Sequence, residues 1–335
     1  MKSQRLPVSM LPTDENIIFP QSSFFRRHAR LPSTTEVRAG KHLKLKYEQT
    51  VHTMQGAEEK RVYWVDGPVI FEDLGLLVKF GGRCTISEGQ CLHAIRQLCR
   101  DAVPVPEVYG WATDLKGIFF LYMELVPGSM RLFDHSDVMN DEEKTSVSDQ
   151  VGQIVKDLRL LQQDPDDQFV GSITRKRLSD RALPQYKPDC IPGPFLPQQD
   201  YYALRASSHV QDFNDWLSSL VGWDAGCGLQ EVISQGPDLL RRSLPDKAPI
   251  KFTHGNLCLQ NILVTCDGPP TVTAIGNWAQ AGWLPGYWES CKMLAGAWSG
   301  HDWYVKYVPR ILDTCESIFK AVESYSFAAD PTAEW

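Results

Sequence analysis

The sequence predicts an α+β fold with two lobes, a small antiparallel-sheet lobe followed by a larger helical lobe. Short runs of Val, Ile, Leu, Tyr and Phe between residues 62 and 125 are interrupted by a single helical pattern. Pro127-Gly128 then forms a joint, after which the apolar spacing is mostly helical. The chain has 335 residues and is 43% hydrophobic, enough for such a core without disulfides. Ligands favour the cleft between two such lobes.

The small lobe is predicted to span residues 61–126, after an N-terminal arm of residues 1–60. Inside the arm, Ser33 followed by Glu36 is typical of a capping box, which predicts a short helix to about Lys41. The lobe itself is expected to contain two or three antiparallel strands over 62–80, a helix over 86–101, and strands at 108–111 and 118–125.

The large lobe is predicted to span residues 127–328, with an insert near 180–225 that would line a ligand pocket. Apolar spacing predicts helices at about 142–163, 198–221, 228–243 and 302–325. A strand pair, 250–253 and 261–265, and a further strand at 271–275 interrupt these helices.

Composition excludes several classes of protein. The net charge of −7 argues against nucleic acid or an anionic membrane as the main partner. The nine cysteines form no C-x-x-C pair, which disfavours a zinc or iron–sulfur site and suits a reducing compartment. The N-terminus lacks the apolar core of a signal peptide, and no apolar run is long enough to span a bilayer. We therefore expect a cytoplasmic protein whose main partner is neither a nucleic acid nor a membrane.

Residues 252–264, FTHGNLCLQNILV, indicate a functional loop. A His, a Gly and two amide side chains stand between two strands, which is typical of a catalytic loop. The segment contains no carboxylate, so it can be read either as an active site or as the remains of one.

This loop and a second motif resemble the aminoglycoside phosphotransferase family, which has a protein-kinase-like fold. The family's catalytic loop usually reads HGDLHxxNILV, and its metal motif IIDWExAGWxPxYWE. Here they read HGNLCLQNILV at 254–264 and IGNWAQAGWLPGYWE at 275–289. The similarity extends from about Phe24 to Trp288 and is close to the fungal-type members. It implies the kinase-like version of the two-lobed α+β fold.

The resemblance also implies a nucleotide site that uses ATP and Mg²⁺. Lys79 corresponds to the strand lysine that contacts nucleotide phosphates, and Glu88 to the helix glutamate that pairs with it. The hinge whose backbone contacts adenine corresponds to Met123, Glu124 and Val126.

Two departures affect the chemistry that the resemblance implies. The catalytic positions are His254 and Asn256, and the metal positions are Asn261 and Asn277. The family has aspartates where Asn256 and Asn277 stand, and an asparagine can neither accept a proton nor supply charge to a cation. Since Mg²⁺ relies on one or two carboxylates, we infer that phosphoryl transfer is absent or much weakened.

Three functions remain open. The chain could be a pseudokinase that binds a nucleotide or small molecule, a repurposed enzyme that cyclises or isomerises an intermediate of fungal secondary metabolism, or a slow small-molecule O-phosphotransferase. Individual residues also have structural alternatives. Asn261 can brace the loop through backbone hydrogen bonds, Cys258 is expected to be structural, and Trp278, Trp283 and Trp288 are expected to pack in the core.

Overall fold

The computed structural model describes residues 4–52, 58–81, 84–100, 102–175, 178–183, 209–219, 237–295 and 302–329. The described strands are β1 (Gln4–Arg5), β2 (Ile17–Ile18), β3 (Lys41–His52), β4 (Glu58–Phe71), β5 (Leu76–Phe80), β6 (Val108–Thr113), β7 (Phe119–Glu124), β8 (Ser129–Arg131), β9 (Leu161–Gln162), β10 (Gly171–Ser172), β11 (Ile250–Thr253), β12 (Ile262–Thr265), β13 (Val272–Ile275) and β14 (Gly282–Pro285).

The described α-helices are α1 (Thr34–Arg38), α2 (Ile86–Cys99), α3 (Leu132–His135), α4 (Asp141–Leu158), α5 (Val210–Ser219), α6 (Pro237–Ser243), α7 (Trp288–Ala295), α8 (Asp302–Lys306), α9 (Val308–Ile311) and α10 (Glu316–Ala329). A 3₁₀ turn covers Trp278–Gln280. Among the described residues, the long strands precede residue 127 and eight of the ten α-helices follow it, so the predicted α+β architecture is confirmed.

The small lobe is built on a six-stranded sheet with the order β2-β6-β7-β5-β4-β3, in which every neighbouring pair is antiparallel. Side chains alternate across β5, so Leu76 and Val78 are fully buried on one face. Lys79 therefore points to the opposite face, towards α2. This alternation places the lysine on the side of the sheet that faces the large lobe.

The sheet includes two segments that precede the predicted start of the small lobe. β2 pairs with β6, and β3 pairs with β4 along eleven residue pairs from Lys41↔Ile70 to His52↔Glu58. The predicted helix of the arm is also present: Ser33 accepts a hydrogen bond from the Glu36 N–H, and the Glu36 carboxylate accepts one from the Ser33 N–H. It ends at Arg38, three residues before the predicted limit.

The large lobe contains two small sheets, β13-β12-β8 and β10-β14-β11. The strands at 250–253 and 261–265 were expected to pair with each other, but that pairing is wrong. β11 pairs with β14, while β12 lies between β13 and β8. The intervening loop therefore connects two different sheets, and it is held from both sides.

The predicted helix at 302–325 is broken into α8, α9 and α10. Pro309 lacks the backbone N–H that a continuous helix needs there, and it restricts the residue before it. Leu312 then takes an extended conformation (φ −144°, ψ 147°), which separates α9 from α10. The predicted helix at 142–163 likewise ends earlier, at Leu158.

Buried apolar side chains form three clusters. One covers the outer face of the six-stranded sheet, where Phe24 and Val37 pack on it. The largest connects α2 and the sheet's other face with the large lobe, and the third lies around α5, α7 and α10. Trp278, Trp283 and Trp288 are all buried, so their predicted place in the core is confirmed.

Parts of the predicted insert fall outside the described residues, which there cover only 178–183 and 209–219. The same holds for most of the helix predicted at 198–221 and for residues 228–236 of the next one. Across the described ranges, no helix combines the length and the apolar character that crossing a bilayer requires.

Candidate functional site

Lys79 connects the two lobes at the base of the cleft. Its Nζ donates to Glu88 Oε1 at 2.6 Å and to Asn277 Oδ1 at 3.1 Å. The predicted ion pair between Lys79 and Glu88 is therefore present, with Glu88 fully buried and the Lys79 side chain 24% exposed. The second contact joins the small lobe to the motif at 275–289.

The backbone of Asn277 places its side chain in this contact. Asn277 has φ 64° and ψ 59°, the left-handed conformation, between the end of β13 and the 3₁₀ turn. Asn and Asp adopt this conformation more readily than other residues with side chains. A carboxylate could take the same place without backbone rearrangement, so the amide is a change of charge and not of shape.

His254 holds the loop between β11 and β12. It is buried, and its ring packs edge-on against Trp278. The Asn256 N–H donates to His254 Nδ1 at 3.1 Å, and His254 Nε2 lies 2.9 Å from the Gly276 carbonyl oxygen. Since Nδ1 accepts, the proton is on Nε2 and the ring is neutral. Both ring nitrogens are engaged with backbone, so His254 positions the loop and is not available to exchange protons with a ligand.

The His254 ring should make stability fall as the pH is lowered. Burial lowers the pKa of His254 from 6.5 to about 4, and the neighbouring Lys79 charge acts in the same direction. Unfolding restores the ordinary pKa, so below pH 6.5 the unfolded chain binds a proton that the folded chain does not, down to about pH 4. Lowering the pH from 7 to 5 should therefore reduce the free energy of unfolding by about 2 kcal/mol through His254 alone.

Urea denaturation of wild type and His254→Gln at both pH values tests this expectation. The variant lacks the titrating ring, so its stability deficit relative to wild type should shrink by about 2 kcal/mol on acidification. The other titrating groups cancel in this comparison. A deficit that stays constant, or an NMR titration midpoint for His254 above pH 6, would contradict it.

Asn256, Cys258 and Asn261 form one hydrogen-bonded network. Asn261 Nδ2 donates to the Asn256 carbonyl oxygen at 2.7 Å and to Cys258 Sγ at 3.2 Å. The Cys258 thiol in turn points to Asn256 Oδ1 at 3.8 Å. Burial raises the pKa of Cys258, so it stays a thiol. Asn261 thus braces the loop, the structural alternative that the sequence left open.

Gly276 joins this network to the Lys79 contact. Its N–H donates to the Asn261 carbonyl oxygen at 2.8 Å, and its carbonyl accepts from His254. The predicted residues Lys79, Glu88, His254, Asn261 and Asn277 therefore form a continuous chain of contacts. Glu88 and His254 are buried within it, whereas Lys79 and the amides at 256, 261 and 277 remain partly accessible.

Glu289 holds the functional loop from behind, a role that the sequence analysis did not assign. Its Oε2 accepts from the His254 N–H at 2.6 Å, and its Oε1 accepts from the Gly255 N–H at 3.2 Å. Burial raises the pKa of Glu289, while the two N–H groups and Arg159 act against that rise. In the sequence, Glu289 is seen simply as the carboxylate that ends the second motif, and nothing near it indicates a contact with the loop.

The residues at the implied metal positions do not fit Mg²⁺. Asn277 Oδ1 already accepts from Lys79, a cation, and Asn261 uses its amide nitrogen inside the loop. Within the described ranges, no group of three or more His, Cys, Asp and Glu side chains is arranged to hold a metal ion. Mg²⁺ prefers carboxylate oxygens, and here it would meet neutral amides beside a lysine.

The predicted hinge begins in the last two residues of β7, and its backbone is hydrogen-bonded to its surroundings. The Glu124 N–H donates to the Glu107 carbonyl oxygen, and the Leu125 N–H to that of Gly75. Met123 is buried within the sheet. Glu124 and Val126 border a cavity of about 300 Å³ that Arg96 also lines. The predicted hinge is thus the hydrogen-bonded end of a strand, and its contact with a base stays a prediction.

Comparison with known proteins identifies the family and the fold. A family model described as "Phosphotransferase enzyme family" matches residues 87–285. One similar solved structure is a thermostable mutant of aminoglycoside phosphotransferase APH(4)-Ia in ternary complex with AMP-PNP and hygromycin B. It has a TM-score of 0.50 and 14% identity, and the alignment covers 76% of this chain and 77% of that chain.

The GDP complex of wild-type aminoglycoside 2'-phosphotransferase-IIIa has a TM-score of 0.45 and 12% identity, covering 88% of this chain and 85% of that one. No curated protein sequence matches the chain. The architecture is the kinase-like aminoglycoside phosphotransferase fold. Because the family model covers more than half of the sequence, the chain belongs to the phosphotransferase enzyme family.

Proposed function

We propose that this chain is a pseudokinase-like member of its family, which binds a nucleotide or another small molecule in the cleft and transfers phosphoryl groups weakly or not at all. The observation that carries the proposal is the contact between Lys79 Nζ and Asn277 Oδ1. It puts a neutral amide where the family's chemistry needs a carboxylate that binds a metal ion.

The electrostatics of the cleft support this proposal. Phosphoryl transfer depends mainly on positioning and on neutralising the developing charge, a task that metal ions share. The amides at 256 and 277 supply neither a proton acceptor nor a metal ligand. Ligand binding requires neither a proton acceptor nor a metal ligand. Lys79 is held in place by Glu88 and keeps part of its side chain accessible.

A nucleotide is the first ligand to test. The APH(4)-Ia structure holds AMP-PNP and hygromycin B on the same fold. The repurposed acid–base enzyme is less well supported, because His254 has both ring nitrogens engaged and Glu88 is buried against Lys79. We therefore propose a binding function for this cleft ahead of a new reaction.

Thermal denaturation with added ligand tests the proposed function. ATP and ADP should stabilise the wild-type fold equally in the presence of Mg²⁺ and of EDTA, by about 2.7 kcal/mol at 100 times the dissociation constant. Lys79→Met should lose most of this stabilisation, because the ammonium group no longer meets the phosphates. ATP should not be consumed.

Two results would overturn metal-independent nucleotide binding, the form of the proposal that this experiment tests. Stabilisation by ATP that requires Mg²⁺, together with ATP turnover, would indicate a slow phosphotransferase. Indifference of the wild type to every nucleotide would show that the cleft has been reassigned, and pathway intermediates of secondary metabolism would then be the ligands to screen.

A further inference from the structure

Arg131 makes a second contact between the two lobes, separate from the one that Lys79 makes. It ends β8, where it lies directly opposite Leu263 of β12. Cross-strand partners project to the same face of a sheet, so Arg131 shares a face with Leu263, a half-buried residue two positions after Asn261. Its Nη2 reaches the Lys46 carbonyl oxygen of β3, in the small lobe, at 3.3 Å.

The guanidinium of Arg131 is fixed on one edge only. Nε and Nη2 donate to the two carboxylate oxygens of Asp134 at 2.7 and 2.8 Å, and the group lies 5.7 Å from the centre of the Phe133 ring. The side chain is 13% exposed. Its Nη1 is buried and has no hydrogen-bond partner.

A buried, unpaired donor on a charged group is costly, and it therefore needs an explanation. Arg131 has five N–H donors, and its other edge is fully used, so the unmet donors are those of Nη1. This atom belongs to a side chain that runs from β8 to β3 between the two lobes. A molecule bound between the two lobes, beside β3 and β8, would supply the missing acceptor.

We propose that Arg131 is a ligand-binding residue whose Nη1 donates to an anionic oxygen, of a phosphate or a carboxylate, on the molecule that occupies the cleft. The inference rests on the proposed function in that it uses the same cleft. An anionic acceptor fits because charge-assisted hydrogen bonds from a guanidinium are stronger than neutral ones. Asp134 balances one positive charge but leaves the two Nη1 donors without an acceptor.

Calorimetric titration under EDTA tests the proposal with three probes: ADP, adenosine and inorganic pyrophosphate. The variants are Arg131→Gln, which removes the charge, and Arg131→Lys, which keeps it but loses the planar fork. Arg310→Gln is the matched control, since Arg310 makes a similar carboxylate contact with Asp149 on the surface of the large lobe. Thermal denaturation of each variant checks that it is folded.

We expect Arg131→Gln to weaken ADP or pyrophosphate binding by about tenfold, with Arg131→Lys between it and wild type. Adenosine binding should change by less than about twofold, since it carries no anionic oxygen. Arg310→Gln should bind all probes as wild type does.

The possible outcomes separate this proposal from the proposed function. If folded Arg131→Gln binds ADP and pyrophosphate as tightly as wild type, the anionic subsite is wrong and the nucleotide site stands. If wild type binds pyrophosphate through Arg131 but neither ADP nor adenosine, the subsite stands for a non-nucleotide anion. If wild type binds none of the three probes, both the anionic subsite and nucleotide binding in this cleft are wrong.

Discussion

The double variant Asn256→Asp/Asn277→Asp is expected to bind ATP in a Mg²⁺-dependent manner and to consume it at least about 100-fold faster than wild type, the lower range of what a general base contributes. The left-handed backbone at Asn277 also suits an aspartate, so the new carboxylate should lie where the amide lies now, 3.1 Å from Lys79 Nζ. One of its oxygens can meet Lys79 while the other faces a cation.

The two single variants separate the two effects. Asn277→Asp alone should make nucleotide binding sensitive to Mg²⁺ without fast turnover, because a metal ligand returns and a proton acceptor does not. Asn256→Asp alone should leave binding independent of the metal. The readout is ATP consumption together with thermal denaturation in Mg²⁺ and in EDTA.

Asn140→Asp is the matched control for this experiment. Asn140 caps α4, where its Oδ1 accepts from the Glu143 N–H, and aspartate caps helices equally well. The same chemical change outside the cleft should therefore alter neither binding nor turnover. A double variant that ignores Mg²⁺ would show that restoring the two carboxylates is not enough to restore metal binding.

Much of the fold could be predicted from local patterns, because local interactions form it. The capping box at Ser33 follows from short-range spacing, whereas the pairing of Lys79 with Glu88 was implied by the resemblance. β3 was not predicted, since its sequence KHLKLKYEQTVH is rich in charge and gains its strand form from pairing with β4. The partners of β11 and β12 are set by contacts between distant segments, which a reading along the chain does not resolve.

The candidate site shows the same division. The sequence indicated which side chains are present, and the family resemblance implied that they share one cleft. It could not show that His254 is occupied by backbone on both nitrogens, nor that Glu289 supports the loop from 35 positions away. Arg131 was also missed, because its significance depends on a contact with β3 that is 85 residues away in sequence.

A buried ion pair joins the segment at the start of the predicted insert to α7, the helix in which the second motif ends. Lys292 Nζ donates to Asp180 Oδ1 at 2.7 Å, and the two side chains are 2% and 0% exposed. Asp180 also accepts from Trp288 Nε1 at 2.7 Å and from the Ala182 N–H at 2.9 Å. Gln280, three residues after Asn277, accepts from Lys292 and from the Arg181 N–H. Asp180 therefore makes several of the contacts that fix the position of this segment, and Gln280 adds another.

Asp180→Asn is expected to lower the free energy of unfolding by about 3–5 kcal/mol, because it leaves Lys292 charged and buried without its counter-charge. The double variant Asp180→Leu/Lys292→Met removes both charges and should cost less than the sum of its single substitutions. Urea denaturation at pH 7 measures all of these, with Asp149→Asn as the control for an exposed pair, expected to cost less than about 1 kcal/mol. If Asp180→Asn cost no more than Asp149→Asn, the buried pair would not be what holds the segment. If Asp180→Asn lowers the free energy of unfolding by the expected amount and also weakens ligand binding in the folded fraction, the segment at the start of the insert shapes the cleft.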